Sequence, residues 1–357
     1  MIQLYRSVFG RHLLAQPLQS YEQDLWRNWE RDLHLQASCS SSSSDESPPS
    51  SPVTCDKKTS TSSAAVLSLP VFSSLSEIHK IDLTKPFLLK NLTRYEDILT
   101  LNHLLSSPIA ESTIDYFVDA RTVNTIPNSR DTVRNIVQRI LQGGPEKIGT
   151  QMIVKAFPEI IERLVDHNEW LQDVFGSERV RQWREISPLM TYPVFVSRGR
   201  STTPSIDPST TSTDMTSLDM TSLSTKTTRT DLHCEPISNV VLQTVGRKKW
   251  TLVEPQYSHL IRPTISPDGR AYFYSSLDPF DPHALDRIPH YEVITEEGDL
   301  LSVPTWTWHR VDYLPDVTAV SISIFQFIPL DFVSRNPLYA LTLVPNLIKE
   351  AVGIKEQ

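Results

Sequence analysis

The segment TRTDLHCEP sets His233 two residues before Glu235, and a distant run, GDLLSVPTWTWHRV, places His309 at the end of a second apolar stretch. On a strand, residues i and i+2 point to the same face, so His233 and Glu235 project together while Cys234 points away. A barrel can bring a third side chain from a distant strand, and His309 is the candidate. Two imidazoles and one carboxylate on one face of a metal leave its other positions open. These borderline and hard donors suit Fe(II) better than a thiolate-seeking metal. Neither piece carries that reading alone: His-x-Glu arises often by chance, and a lone histidine near a strand end is commonly packed or at the surface.

A cation follows the first pair. Lys248 stands two residues after Gly246 in VGRKKW, placed to begin the next strand. An ammonium is a compact charge able to meet a carboxylate in a closed site. The bland alternatives for GRKK are a solvated turn or part of a nuclear localisation signal, and Arg247 and Lys249 read as solvent-facing. Trp306 and Trp308 read as packing, and Cys234 as a small buried hydrophobe. His283 and His290, in a proline-rich stretch between the motifs, are spare ligand candidates.

Such a site needs strands to hold it. NVVLQTVG, KKWTLVEP, GDLLSVP and VTAVSISIFQFIPL are short, β-branched or alternating, and bounded by Gly and Pro, as is YPVFVSRG upstream. Several such strands predict an all-β sandwich or barrel over 191–332. The stretch 67–190 reads as helical. TRYEDILTLNHLL opens with Thr93 and Glu96 at capping-box spacing, and DTVRNIVQRILQGG puts Val133, Ile136, Val137, Ile140 and Leu141 on one face before Gly143. PEIIERLVDHNEWL repeats the pattern with Ile160, Ile161, Leu164 and Val165. The tail, 333–357, returns to helix with an interruption expected at Pro345. Its leucines are apolar enough to cover the barrel or to form a homodimer face.

Two Ser/Thr-rich tracts break this order. Residues 38–66 read as a disordered linker, and 199–227 as an insertion between two strands, because such compositions bury too little apolar surface to offset their ordering entropy. Residues 1–37 read either as a mildly basic amphipathic targeting helix or as an ordinary surface helix. A net charge of −8 argues against a nucleic-acid scaffold without excluding a local basic groove, and no DNA-binding motif is evident. No apolar run reaches the ~18 residues of a membrane helix. The three cysteines form no CxxC, which fits a reducing compartment: cytoplasmic, with a mitochondrial or other organelle as the alternative.

Together, TDLHCEPISNVVLQTVGRKKWTLVEP and EGDLLSVPTWTWHRV resemble the jumonji C and cupin-like Fe(II)- and 2-oxoglutarate-dependent oxygenases. Gly298, Asp299, Leu300, Pro304, Trp308 and His309 follow the signature around that family's second histidine. The resemblance implies a double-stranded β-helix, mainly β with α: a jelly-roll barrel with an N-terminal helical region and a C-terminal helix. It implies Fe(II) held by His233, Glu235 and His309, with Glu standing where many hydroxylases have Asp. It further implies 2-oxoglutarate bound through Lys248 and the Thr230 hydroxyl, with Asn239 and Ser323 at polar positions nearby. The implied activity is a dioxygenase hydroxylating a protein side chain or an RNA base. Demethylation by the same C–H chemistry, or a non-catalytic binding protein on a degenerate barrel, are the alternatives.

Overall fold

Alternating and β-branched runs dominate the chain after residue 190, and each of the five singled out above forms a strand. A computed structural model describes residues 66–92, 98–118, 127–166, 169–183, 190–200, 228–265, 271–279, 281 and 283–351. The expectations for 1–37, for nearly all of 38–66 and for the body of the 199–227 insertion fall outside them.

Short strands come first: β1 (Val66–Leu67), β2 (Val71–Phe72), β3 (Phe87–Leu89), β4 (Thr113–Val118), β5 (Ser129–Thr132), β6 (Glu146–Thr150) and β7 (Met190–Thr191). The barrel strands follow: β8 (Val194–Arg198), β9 (Arg229–Cys234), β10 (Ser238–Val245), β11 (Lys248–Val253), β12 (Pro263–Ile265), β13 (Phe273–Ser275), β14 (His290–Thr295), β15 (Leu300–Val303), β16 (Trp308–Tyr313) and β17 (Thr318–Gln326). One sheet runs β1-β14-β11-β16-β9-β13-β12 and the other β2-β3-β15-β10-β17-β8-β6-β4-β5. Strands β8 to β11 alternate between the two sheets, and β14 to β17 do so again. This is the double-stranded β-helix.

Alternation along each strand separates two cores. Val241, Trp250, Leu252, Leu301, Val303, Val311, Tyr313 and Ala319 face the barrel interior. Val240, Leu242, Leu300, Val320, Ile322 and Ile324 face outward from the larger sheet and pack on the helices. Helix Val133–Leu141 is capped by the Thr132 side chain and buries Val133, Ile136, Val137 and Ile140 there. Each such side chain contributes roughly 1.5–3 kcal/mol on full burial. Helix Glu159–Asp166 adds Ile160, Ile161, Leu164 and Val165.

The region 67–190 differs from its helical expectation. It also supplies strands, and β6, β4 and β5 extend the larger sheet beyond β8. The sequence EKIGT of β6 is too short and too mixed to announce a strand; pairing with β8 at Ile148–Val196 and Thr150–Val194 makes it one. The described helix in the TRYEDILTLNHLL segment begins at Leu101, capped by Thr100 with His103 completing the capping box. Thr93 and Glu96 lie outside the described residues.

The carboxy-terminal break falls at Asn336, between helices Pro329–Arg335 and Pro337–Ala351, and not at Pro345, which sits inside the second helix. Pro337 occupies the first helical position, where no N–H is needed, and Asn336 Oδ1 accepts the Tyr339 N–H at 3.2 Å. A proline within a helix removes one backbone bond, and that loss is carried here by the packing of the same helix. Tyr339 stacks on Phe273 at 4.0 Å, and Leu343 is fully buried. Leu338, Leu341 and Val344 stay exposed on the helix, as do Leu330 and Val333 before it.

Candidate metal centre

Strands β9 and β16 are antiparallel neighbours, and His233 and His309 are direct partners across them. Their rings lie 4.1 Å apart between centroids, inclined at 56°. Glu235 sits one residue past the end of β9, with a carboxylate oxygen 4.0 Å from His233 Nε2. One ligand atom from each of the three residues lies within 4.8 Å of the others. Metal bonds of about 2 Å bring such atoms onto one ion after movements on the order of an ångström.

The backbone prepares both rings. His233 Nδ1 faces the Asp231 carbonyl at 2.8 Å and His309 Nδ1 faces the Thr307 carbonyl at 3.1 Å. A proton held on Nδ1 leaves Nε2 with its lone pair free, as a ligand requires. Burial holds both imidazoles neutral, His233 well below the ordinary histidine range and His309 down to about 4. This donor set fits a divalent metal of the Fe(II) type.

The Pro-Thr-Trp-Thr-Trp-His run has a structural role. Trp306 adopts a left-handed backbone, φ 66°, and its N–H donates to the Glu235 carbonyl at 3.1 Å. Its indole donates to the Phe332 carbonyl, and that of Trp308 to Ser258 Oγ, each at 2.9 Å. Both tryptophans therefore fix the turn that leads into His309 on β16, and Trp306 ties that turn to the backbone at Glu235. Gly298 turns at φ 82°, and buried Asp299 accepts from Glu296 N and Lys90 Nζ at 2.9 Å.

Lys248, Trp250 and Leu252 face the same interior as His309, Val311 and Tyr313, their partners across β11 and β16. The Lys248 side chain is only 2% exposed, and its Nζ donates to Ser321 Oγ at 2.6 Å. Desolvation, and then the charge of Lys147, lower its pKa to about 7. Asn239 and Ser323 line the inner face of β10 and β17; Asn239 Oδ1, Ser323 Oγ and Ser197 Oγ are buried without a hydrogen-bond partner among the described residues. An empty apolar barrel has no use for such groups, each of which costs about 1–3 kcal/mol when unmet. They fit an enclosed polar guest.

Thr230 reaches this interior by a departure from plain alternation. A register shift lets three steps on β9, His233 to Thr230, match two on β16, His309 to Val311. Such a bulge reverses the parity of the strand, so Thr230 and His233 share one face. The Thr230 hydroxyl meets Lys147 Nζ, from β6, at 2.6 Å. Lys147, Ser321 and Tyr313 share this interior without having been singled out from the sequence; only its place in the alternating run VTAVSISIF marks Ser321. His283 is exposed and pairs with Asp286 at 2.7 Å, and His290 bonds the Ile288 carbonyl at 2.8 Å, so neither joins the centre. Cys234 is fully buried, its thiol pushed well up by desolvation.

Comparison with known proteins agrees with the barrel fold. Over 99 residues the chain is 32% identical to HSPB1-associated protein 1 of Rattus norvegicus, covering 26% of this chain and 20% of that protein. The counterpart of Homo sapiens is 30% identical over 99 residues with the same coverage, and the Danio rerio homolog 31% identical over 98 residues, covering 26% of this chain and 21% of the homolog. The chain thus matches about a fifth of the length of these relatives. The family described as "Cupin-like domain" matches residues 107–326, which takes in the barrel, the metal-type cluster and Lys147, and the chain belongs to that family.

Proposed function

We propose that this chain is an Fe(II)- and 2-oxoglutarate-dependent dioxygenase that hydroxylates a protein side chain or an RNA base. The observation that carries the reading is the pairing, in one barrel interior, of the His233–Glu235–His309 cluster with the buried ammonium of Lys248. His233, Glu235 and His309 hold the metal, which supplies dioxygen activation when bound. Lys248 meets the distal carboxylate of the keto acid, with Ser321 orienting its amine. Asn239 and Ser323 offer the unmet polar atoms of the inner wall to the same guest. Apolar residues Val241, Leu252, Val303 and Val311 exclude water from it. The named association of the relatives with a protein leans the choice of target toward a protein side chain. Among the described residues no helix is long and apolar enough to cross a membrane, and a cytoplasmic location is part of the proposal. So is a homodimer through the exposed leucines of the carboxy-terminal helices.

The test is consumption of 2-oxoglutarate by the purified full chain with Fe(II), read as succinate formed, beside His309→Ala. Turnover in the wild type that His309→Ala abolishes supports the proposal. Equal rates in both, or none in the wild type with iron shown to be bound at the site, sink it.

A further inference from the structure

Strand β6 brings a second lysine into the interior from outside both motifs. Glu146 and Ile148 point outward, Glu146 to Arg139 at 2.9 Å and Ile148 into the outer core, so Lys147 between them points in. Its Nζ donates to Thr230 Oγ1 at 2.6 Å and lies 5.6 Å from the Tyr313 ring centre. Lys248 Nζ lies 5.1 Å from the centre of that same ring. Among the described residues neither nitrogen has a carboxylate oxygen within 4.0 Å. Asp231, whose charge favours the Lys147 ammonium, is itself engaged by Arg229 at 3.1 Å.

Two ammonium groups gathered around one ring disfavour each other, and desolvation lowers both, Lys147 to about 8 and Lys248 to about 7. Hydroxyls of Thr230 and Ser321 hold them in place without neutralising them. An anion set between the two nitrogens relieves this at once.

We propose that Lys147 is a second cationic anchor of the keto-acid subsite, so that the distal carboxylate of a dicarboxylic acid lies between the Lys147 and Lys248 ammonium groups. Thr230 then acts as a positioning residue for Lys147, through its hydroxyl, more than as a ligand of the acid. The second charge selects a carboxylate at that end over a neutral group of equal size. The choice of acid rests on the oxygenase reading, but the binding does not require the metal.

The experiment titrates the full, metal-free chain calorimetrically with glutarate and with pentanamide, a neutral chain of the same length. The wild type binds glutarate the more tightly. Lys147→Met weakens glutarate binding by about ten-fold, the usual scale for losing a charge-assisted bond, and leaves pentanamide as in the wild type. Lys147→Arg keeps most of the preference for the diacid. Lys147→Gln, which can still bond Thr230, loses it as Lys147→Met does and serves alone should the methionine variant not fold. Unchanged glutarate affinity in the neutral variants, an equal loss for both ligands, or a wild type with no preference overturns the proposal. Glutarate binding through both lysines without any consumption of 2-oxoglutarate would sink the enzyme reading alone.

Discussion

Replacing Lys248 by Met is expected to make the ligand-free protein more stable below neutral pH while removing its response to 2-oxoglutarate. The amine is 2% exposed, and burial lowers its pKa from 10.5 to about 7. In the unfolded chain it keeps its proton up to the ordinary lysine range, so between pH 7 and 10.5 the unfolded state binds more protons and stability rises with pH. Below about pH 7 both states are protonated and the fold bears the whole cost of the buried charge. At about 1.36 kcal/mol per ten-fold, the fall from 10.5 to about 7 bounds that cost at about 5 kcal/mol. Methionine keeps the volume beside Phe195 and Tyr313 and drops the charge. Urea unfolding followed by tryptophan fluorescence should therefore show Lys248→Met ahead of the wild type at about pH 6, by up to those few kcal/mol, with the gap narrowing above about pH 7 and closing only toward pH 10.5. Relief of Lys147 adds to the gain, and its own titration near 8 leaves the variant a residual slope. Added 2-oxoglutarate at about a hundred times its Kd stabilises the wild type by about 2.7 kcal/mol and leaves the variant unmoved. A variant less stable than the wild type at about pH 6, or one stabilised equally by the acid, refutes the reasoning.

His233→Ala removes one of three ligand atoms and should lower Mn(II) affinity, read by titration calorimetry, by a hundred-fold or so while the circular dichroism of the barrel is retained. Gly246→Ala should destabilise the chain by about 1–3 kcal/mol in chemical unfolding, because φ there is 64° and an added Cβ would stand 2.2 Å from the Thr318 carbonyl oxygen. Leu341→Glu charges a side chain that is 73% exposed on the last helix. It should convert a wild-type dimer to monomer in sedimentation equilibrium without loss of thermal stability; a wild type that is already monomeric removes the dimer from the proposal.

The sequence exposed those parts of the candidate site whose geometry repeats locally. His233 and Glu235 stand two apart near a strand end, and His309 closes a run whose turns, at Gly298 and Trp306, leave fixed residue types behind. The barrel strands were legible for the same reason, since alternation writes the inner and outer faces of β10 and β17 into the chain. Lys147 was hidden because nothing in EKIGT indicates a strand; it becomes one by pairing with β8, and its partner Thr230 lies 83 residues away. Thr230 itself sits at the wrong parity for the interior, and only the bulge in β9 turns it inward. The Asn336 break was masked by Pro345, the stronger of two helix-breaking signals but not the one at which the packing of Tyr339 and Leu343 yields.

The direct pairing of His233 with His309 makes register and chemistry inseparable. A slip of β9 by one residue along β16 would send His233 out of the barrel, and no neighbour could replace it, since Cys234 and Leu232 would face the centre instead. The donor set therefore comes into being only when the two strands, distant in the chain, lock in their final alignment. A partly folded chain offers an ion no more than scattered imidazoles. An ion captured after that point would act as a cross-strand rivet, and unfolding of β9 from β16 would then have to break metal bonds as well as the ladder.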